Sequence, residues 1–142
     1  MTIQAKRYHD ISCGHRVYQH ESKCAHLHGH NYRIHFTVES SKLDAIGRVM
    51  DFSVIKDKLC MWLEDNWDHK FLIWEKDPWS LALHVLDATV VILEFNPTAE
   101  NMAAYLTQFQ GPLLLQGTGC ELVEVTIEET RKCAATYIKD LS

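Results

Sequence analysis

Apolar and polar residues alternate along two stretches of the chain, as they do in strands with one buried face. In 28–39 every second residue from Tyr32 to Val38 is apolar, and the residues between them are polar or charged. The same period of two runs through 122–130. Weaker candidate strands lie at 2–12, 90–95 and 136–139.

Two other stretches have the spacing of amphipathic helices. The first covers 52–67, where Ile55, Leu59, Trp62 and Leu63 recur at helical intervals and Asp51 or Ser53 can cap the start. The second begins near Thr98, a natural N-cap, and Glu100 favours the positive end of its dipole. Its expected buried stripe consists of Met102, Leu106 and Phe109.

The turn and helix-start signals in the rest of the chain complete an α+β pattern. Gly47 predicts a turn over 43–48, and Asp77-Pro78 predicts a short helix over 81–86. Strands in adjacent runs, separated by one or two helices, indicate an antiparallel sheet covered on one face.

Length and composition narrow the class of protein. The chain has 142 residues without a linker or repeat, so we interpret 1–142 as one domain. Its net charge of −5 argues against a general nucleic-acid or membrane-surface binder, and no apolar stretch is long enough for a membrane span. We expect a cytoplasmic protein whose five cysteines are not organised in disulfides. Its nine histidines are an unusually high count.

Potential metal ligands and catalytic side chains are most concentrated in the segment from Cys24 to His30. Residues two apart in a strand share a face, so His28 and His30 can bind one ion above the buried side that also carries Tyr32. We take His15, after the first candidate strand, as the third ligand. Three neutral imidazoles leave one coordination position open, which is typical of catalytic zinc. Packed or exposed histidines without a metal would give the same pattern.

The role of Cys24 stays open at this level. As a fourth ligand, its sulfur would close the site and make the metal structural. As an uncoordinated thiol beside a dication, it would favour the thiolate form and act as a base or nucleophile.

Two acidic positions add candidate chemistry. Asp68-His69 follows the first predicted helix and is either an acid/base pair or an ordinary structural pair. Glu129 falls on the apolar side of the last long strand, where a ligand edge with two N–H groups would satisfy its oxygens. The alternative is a strand end that bends back into water.

These residues belong to a series of six motifs that occur in order over nearly the whole chain. The motifs are Gly14-His15, Cys24 with His28-Gly29-His30-Asn31-Tyr32, Met50-Asp51-Phe52, Trp67-Asp68-His69 with Phe71-Leu72, 96–101, and Glu129-Thr130. The chain resembles the 6-pyruvoyl-tetrahydropterin synthase / 6-carboxy-tetrahydropterin synthase family. The three residues between Cys24 and His28 resemble its bacterial carboxy branch, which feeds queuosine and other 7-deazapurine pathways.

The resemblance implies a reaction and a set of site residues. The reaction is the zinc-dependent conversion of 7,8-dihydroneopterin triphosphate to 6-carboxy-5,6,7,8-tetrahydropterin, with release of acetaldehyde and triphosphate. The zinc ligands would be His15, His28 and His30; the catalytic groups would be Cys24, Asp68 and His69; and the pterin pocket would contain Glu129, Thr98 and Glu100.

The resemblance also implies a fold and an assembly. The tunnelling fold has an antiparallel four-stranded sheet with two main helices on one face. Trimers close these sheets into a barrel and stack into a homohexamer, in which Asp68-His69 would meet the Cys24 of a neighbouring subunit. The segment 74–89 is longer than compact bacterial members need and would cover the site or extend an interface.

Two other functions stay open. The first is the pyruvoyl branch, which eliminates triphosphate but keeps the three-carbon side chain. The second is a non-catalytic, zinc-stabilised oligomer that binds a pterin or purine through Glu129.

Overall fold

In the computed structural model, which describes residues 2–140, six strands form one mixed sheet. The strands are β1 (Ile3–His15), β2 (His28–Ser40), β3 (Phe71–Trp74), β4 (Val91–Leu93), β5 (Glu121–Glu128) and β6 (Ala134–Ile138). Their order across the sheet is β4-β3-β1-β2-β5-β6. The pairs β1–β2, β2–β5 and β5–β6 are antiparallel, whereas β3 runs parallel to β1 and β4 parallel to β3.

The expectation of a four-stranded antiparallel sheet is therefore wrong in strand number. The two additional strands, β3 and β4, have four and three residues, which is too short for a period of two to stand out in the sequence. Because β1, β3 and β4 are parallel, their carboxyl ends lie at the same edge of the sheet. The loops that leave these three strands therefore converge there.

A long hairpin of β1 and β2 forms the centre of the sheet. Its pairing runs without interruption from Ile3 opposite Ser40 to His15 opposite His28. The first strand was expected to end at residue 12, but this ladder carries it three residues further. His15 consequently lies on the strand rather than after it, directly across from His28.

The two predicted helices are present, and each contains a π-helical turn. Helix α1 (52–66) and helix α3 (99–114) are separated in the sequence by the short helix α2 (Ser80–Leu86). Helix α1 consists of Phe52–Ile55, the π turn Lys56–Cys60 and Met61–Asn66; helix α3 consists of Ala99–Tyr105, the π turn Leu106–Gln110 and Gly111–Leu114. The caps are as predicted, since Asp51 accepts from the Ser53 N–H and Thr98 from the Asn101 N–H.

The π turn in α3 explains why one predicted core residue is wrong. Met102 and Leu106 are buried as expected, but Phe109 is 62% exposed and Thr107 takes its place in the core. A π turn holds more residues than the 3.6 of an α-helical turn. Positions after Leu106 are therefore rotated away from the face that a uniform period predicts.

The helices cover one face of the sheet, where the apolar side chains form a continuous core. Tyr32, Ile34 and Phe36 from β2 belong to this core, together with Leu63 and Met102 from the helices. This face also carries the histidines of the hairpin's last pair. No helix within residues 2–140 has the length and apolar character that a membrane crossing requires.

Candidate functional site

Three imidazoles meet at the end of the β1–β2 hairpin. The candidate ligand nitrogens of His15, His28 and His30 all lie within 4.8 Å of one another. His15 is only 1% exposed, and the other two rings are partly buried. The strand register produces this cluster, because His15 stands opposite His28 and His30 projects from the same face two residues later.

Carbonyl groups fix the tautomers of two of these rings. His15 Nδ1 lies 2.7 Å from the Pro97 oxygen, and His28 Nδ1 lies 2.8 Å from the His26 oxygen. A carbonyl only accepts, so both Nδ1 atoms carry the proton and both Nε2 atoms present lone pairs. These two Nε2 atoms are 3.0 Å apart. A cation between them removes the repulsion of facing lone pairs, so the pair fits a bound metal.

The third ring fits the same ion. His30 Nε2 is buried and has no hydrogen-bond partner among the described residues. An imidazole nitrogen without a partner in a group of three is suited to zinc or a similar transition metal. The cluster therefore has the donor set and tautomers of a three-imidazole metal site.

Burial favours the neutral form of two of the three imidazoles, His15 and His30. Desolvation, opposed by the Pro97 carbonyl and assisted by the neighbouring imidazoles, lowers the pKa of His15 to about 4. Desolvation also lowers the pKa of His30. The Tyr32 hydroxyl lies 3.2 Å from His15 Nδ1, and burial raises its pKa, so it stays neutral. Neutral imidazoles are the form that binds a metal.

Glu129 points at the imidazole cluster rather than back into water. It follows directly after β5, and its Oε1 lies 3.5 Å from His15 Nε2 and 3.6 Å from His30 Nε2. Its side chain is 26% exposed, so a carboxylate oxygen remains available to a ligand. The predicted placement of Glu129 on the apolar side therefore agrees with the geometry.

Cys24 lies beside the cluster but not within it. It is the middle residue of a short 3₁₀ turn, Lys23–Ala25, and is half-buried. Its carbonyl accepts from the Val17 N–H at 2.9 Å, which ties this turn to the segment after His15. Its sulfur is not among the ligand atoms that gather within 4.8 Å. This arrangement suits an uncoordinated thiol better than a fourth ligand.

Asp68 and His69 form an oriented pair in the turn between α1 and β3. Asp68 accepts from the Ser12 N–H at 2.8 Å with one oxygen and from His69 Nδ1 at 2.8 Å with the other. This leaves His69 Nε2 free on a ring whose side chain is 82% exposed. His69 has a φ of 60°, a strained conformation for a residue other than glycine that is common at functional sites. The pair is thus built to present one imidazole nitrogen outward.

The cavities lined by His69 show how this pair lies relative to the other predicted site residues. His69 lines a cavity of about 620 Å³ with Asn31 and Arg131, and a second one of about 470 Å³ with His30. Cys24 lines neither of these two cavities. The predicted catalytic groups thus fall into two places: the imidazole cluster with Glu129 and Cys24 nearby, and the exposed Asp68-His69 pair.

The structure gives the 96–100 segment a supporting role that the sequence did not reveal. Thr98 caps α3, and Glu100 is an exposed residue of its first turn, so the described contacts of neither reach the imidazoles. Pro97 instead supplies the carbonyl that orients His15, and Asn96 binds the backbone of Tyr18. A carbonyl contact across 82 positions leaves no trace in a sequence pattern. The position of Tyr32 beside the imidazoles, by contrast, could be predicted because it shares a strand face with His28 and His30.

Comparison with known proteins identifies the family. The family model of 6-pyruvoyl tetrahydropterin synthase matches residues 4–140, which is nearly the whole chain. The chain belongs to the 6-pyruvoyl tetrahydropterin synthase family. The resemblance inferred from the motifs is confirmed.

Relatives in this family refine the comparison. The 6-carboxy-5,6,7,8-tetrahydropterin synthase of Rickettsia felis is 33% identical over 134 residues, covering 92% of this chain and 96% of that protein. The protein of the same name from Aquifex aeolicus is 32% identical over 124 residues, covering 82% and 76%. The 6-pyruvoyl tetrahydropterin synthase structure of Caenorhabditis elegans has a TM-score of 0.71 at 25% identity, covering 99% and 97%. An uncharacterized protein of Wolinella succinogenes has the same fold, with a TM-score of 0.85 at 23% identity and 99% coverage of both chains.

Proposed function

We propose that this tetrahydropterin synthase is a zinc-dependent lyase of the carboxy branch. Its substrates are 7,8-dihydroneopterin triphosphate and one water molecule, and its products are 6-carboxy-5,6,7,8-tetrahydropterin, acetaldehyde and triphosphate. The observation that carries the proposal is the cluster of His15, His28 and His30, with two Nε2 lone pairs facing each other beside the Glu129 carboxylate. Relatives that span nearly this whole chain bear the 6-carboxy-5,6,7,8-tetrahydropterin synthase name.

The residues divide the work between binding and proton transfer. His15, His28 and His30 would hold a zinc ion, which would supply Lewis-acid stabilisation of negative charge on substrate oxygens. Glu129 accepts the N–H groups of the pterin edge and fixes the ring above the cluster. The Cys24 thiolate removes a proton from the substrate side chain, and His69 Nε2 takes part in relaying it. Asp68 holds the His69 Nδ1–H and keeps the ring in the tautomer seen here.

The assembly brings Asp68-His69 of one subunit to the Cys24 of another in this proposal. Two free sheet edges support such an assembly. β6 is the last strand of the sheet, and among the described residues β1 pairs with β3 only at Gly14 and His15. The outer edge of β1 before Ser12, whose backbone is bonded to Asp68 and His69, is therefore open to a strand from a second copy. Head-to-tail pairing of β6 with a neighbouring β1 closes a ring of three subunits, and two rings give the proposed homohexamer.

The direct test is turnover. Zinc-loaded protein is incubated with 7,8-dihydroneopterin triphosphate, and the products are identified by mass spectrometry. The proposal expects 6-carboxy-5,6,7,8-tetrahydropterin and acetaldehyde in equal amounts. A product that retains the three-carbon side chain would identify the pyruvoyl branch instead. No turnover by an intact zinc-loaded oligomer would favour the non-catalytic binding module.

Two cysteine variants, tested side by side, separate catalysis from metal binding. Cys24→Ala is expected to retain zinc and lose turnover by a factor of about 10² to 10⁴, the usual contribution of a catalytic base. Cys133→Ala is the matched control, because Cys133 is an exposed free thiol and the substitution keeps its backbone carbonyl, which accepts from the Glu129 N–H. Stoichiometric loss of zinc from Cys24→Ala alone would show that Cys24 is a ligand and would refute the assignment.

A further inference from the structure

The chain that leaves β1 after His15 is held by the loops that follow β3 and β4. These three strands are parallel, so their carboxyl ends lie together. The loop after β3 contributes Asp77, and the loop after β4 contributes Asn96 and Pro97. The loops that follow β3 and β4, the two strands absent from the four-stranded expectation, thus contact His15 and the residues just after it.

On the β3 side, a buried ion pair fixes the residue next to His15. Arg16 Nε lies 2.9 Å from Asp77 Oδ2, with side-chain exposures of 8% and 0%, in a charge contact whose angle is not that of a hydrogen bond. The other Asp77 oxygen accepts from the Trp79 N–H at 2.9 Å. The Trp79 ring lies over the guanidinium carbon of Arg16 at 3.3 Å from the ring centroid. Arg16 is therefore held by charge at one edge and by an aromatic face above it.

On the β4 side, Asn96 binds the backbone of Tyr18, two residues after Arg16. Its Oδ1 accepts from the Tyr18 N–H at 3.1 Å, and its Nδ2 donates to the Tyr18 oxygen at 3.0 Å. The adjacent Pro97 oxygen accepts from His15 Nδ1. The segment 15–18 is consequently anchored at His15, Arg16 and Tyr18 by two separate loops.

We propose that Asp77 is a positioning residue for the metal site, acting through Arg16 on His15. The inference rests on the proposed metal site and adds a residue 62 positions away from the ligand that it places. Arg16 shares a peptide bond with His15, so the direction of the Arg16 backbone sets where the His15 ring leaves the strand. Metal ligands must be held within about 0.5 Å of their productive positions. A buried ion pair often stabilises a fold no better than apolar residues of similar volume, so its main role here is to hold Arg16 in place together with the Trp79 ring.

The test measures metal binding and stability separately. The variants are Asp77→Asn and the double variant Arg16→Met with Asp77→Leu, which removes the ion pair but leaves no charge buried without a partner. Asp44→Asn is the matched control, because it removes an ion pair with Arg48 that is exposed to solvent. For each protein, zinc affinity is determined by competition with a chromophoric chelator. The visible absorption spectrum of the cobalt-substituted form reports ligand geometry, and urea unfolding of the metal-free form reports stability.

We expect zinc affinity to fall on the order of tenfold in the double variant, as for other changes in the outer shell of a metal site. We also expect its cobalt absorption bands to change while Asp44→Asn matches the wild type in both measurements. A folded double variant with wild-type zinc affinity and cobalt spectrum would overturn the inference, even if Asp77→Asn fails to fold. If the wild type binds no zinc, or if His28→Ala binds it equally well, the proposed metal site itself is wrong. That result is distinct from failure of the double variant alone.

Discussion

The buried His15 predicts that the metal-free protein becomes less stable in mild acid. The unfolded chain protonates this imidazole around its ordinary pKa of 6.5, whereas in the folded protein desolvation lowers the pKa to about 4. Between these two values the unfolded state binds one more proton than the folded state, so stability falls as the pH falls. The stability that comes from keeping His15 neutral is fully present above pH 6.5 and is lost progressively as the pH falls to about 4.

The magnitude follows from the gap between the two pKa values. Each pH unit inside the window costs about 1.4 kcal/mol, so His15 alone removes about 2 kcal/mol between pH 7 and pH 5. The loss reaches about 3 kcal/mol near pH 4. These changes are large against the total stability of about 5–15 kcal/mol expected for a domain of this kind.

The assay compares wild type with His15→Asn, both metal-free, by urea unfolding at several pH values. Asparagine keeps a donor that can reach the Pro97 oxygen but does not titrate, and the difference between the two proteins cancels the six histidines outside the cluster. We expect the wild type to lose about 2 kcal/mol more than the variant between pH 7 and pH 5. Parallel curves for the two proteins would refute the claim that His15 is held neutral by burial.

Three further predictions test the packing and the thiols. Met102→Ala should cost about 2–5 kcal/mol in urea unfolding because its side chain is fully buried, while Phe109→Ala should cost less than about 1 kcal/mol; equal losses would contradict the rotation introduced by the π turn. In a time course of iodoacetamide labelling at pH 8, followed by mass spectrometry, exposed Cys133 should react before Cys13 and Cys60, because burial raises the pKa of those two thiols to about 12 and about 11; early modification of Cys13 would argue against this core. Gly111→Ala should lower stability by about 1–3 kcal/mol, since a Cβ there would lie 2.7 Å from the Leu106 carbonyl oxygen and 2.4 Å from Leu122 Cδ2; an unchanged thermal midpoint would mean that α3 shifts freely.

The sequence predicted those features that depend on short-range periodicity. The strand 28–39 and both main helices were found because their apolar spacing is regular, and this spacing placed His28 and His30 on the buried face. His15 was chosen as the third ligand without such a pattern, from its place after the first candidate strand, and the hairpin register sets it opposite His28. Each of these features depends on residues within one element or on an adjacent hairpin.

What the sequence could not predict depends on contacts between distant segments. The candidate strand 90–95 contains β4, but its parallel pairing with β3 could not be foreseen, and β3 itself is a four-residue strand that pairs with β1 only at Gly14 and His15. The carbonyl of Pro97 carries no side-chain signal. The π turn in α3 changes the helical phase at a point where Phe109 would otherwise complete the stripe.

The unbroken ladder from Ile3 to His15 also bears on how the hairpin finds its alignment while folding. Sliding one strand by a single residue would turn every side chain of β2 to the opposite face, and it would separate His28 and His30 from His15. An ion bound by all three rings would therefore be compatible with one alignment only. The connecting stretch 16–27 would then be closed by a metal cross-link at its base, and misaligned hairpins would be disfavoured even before the helices pack.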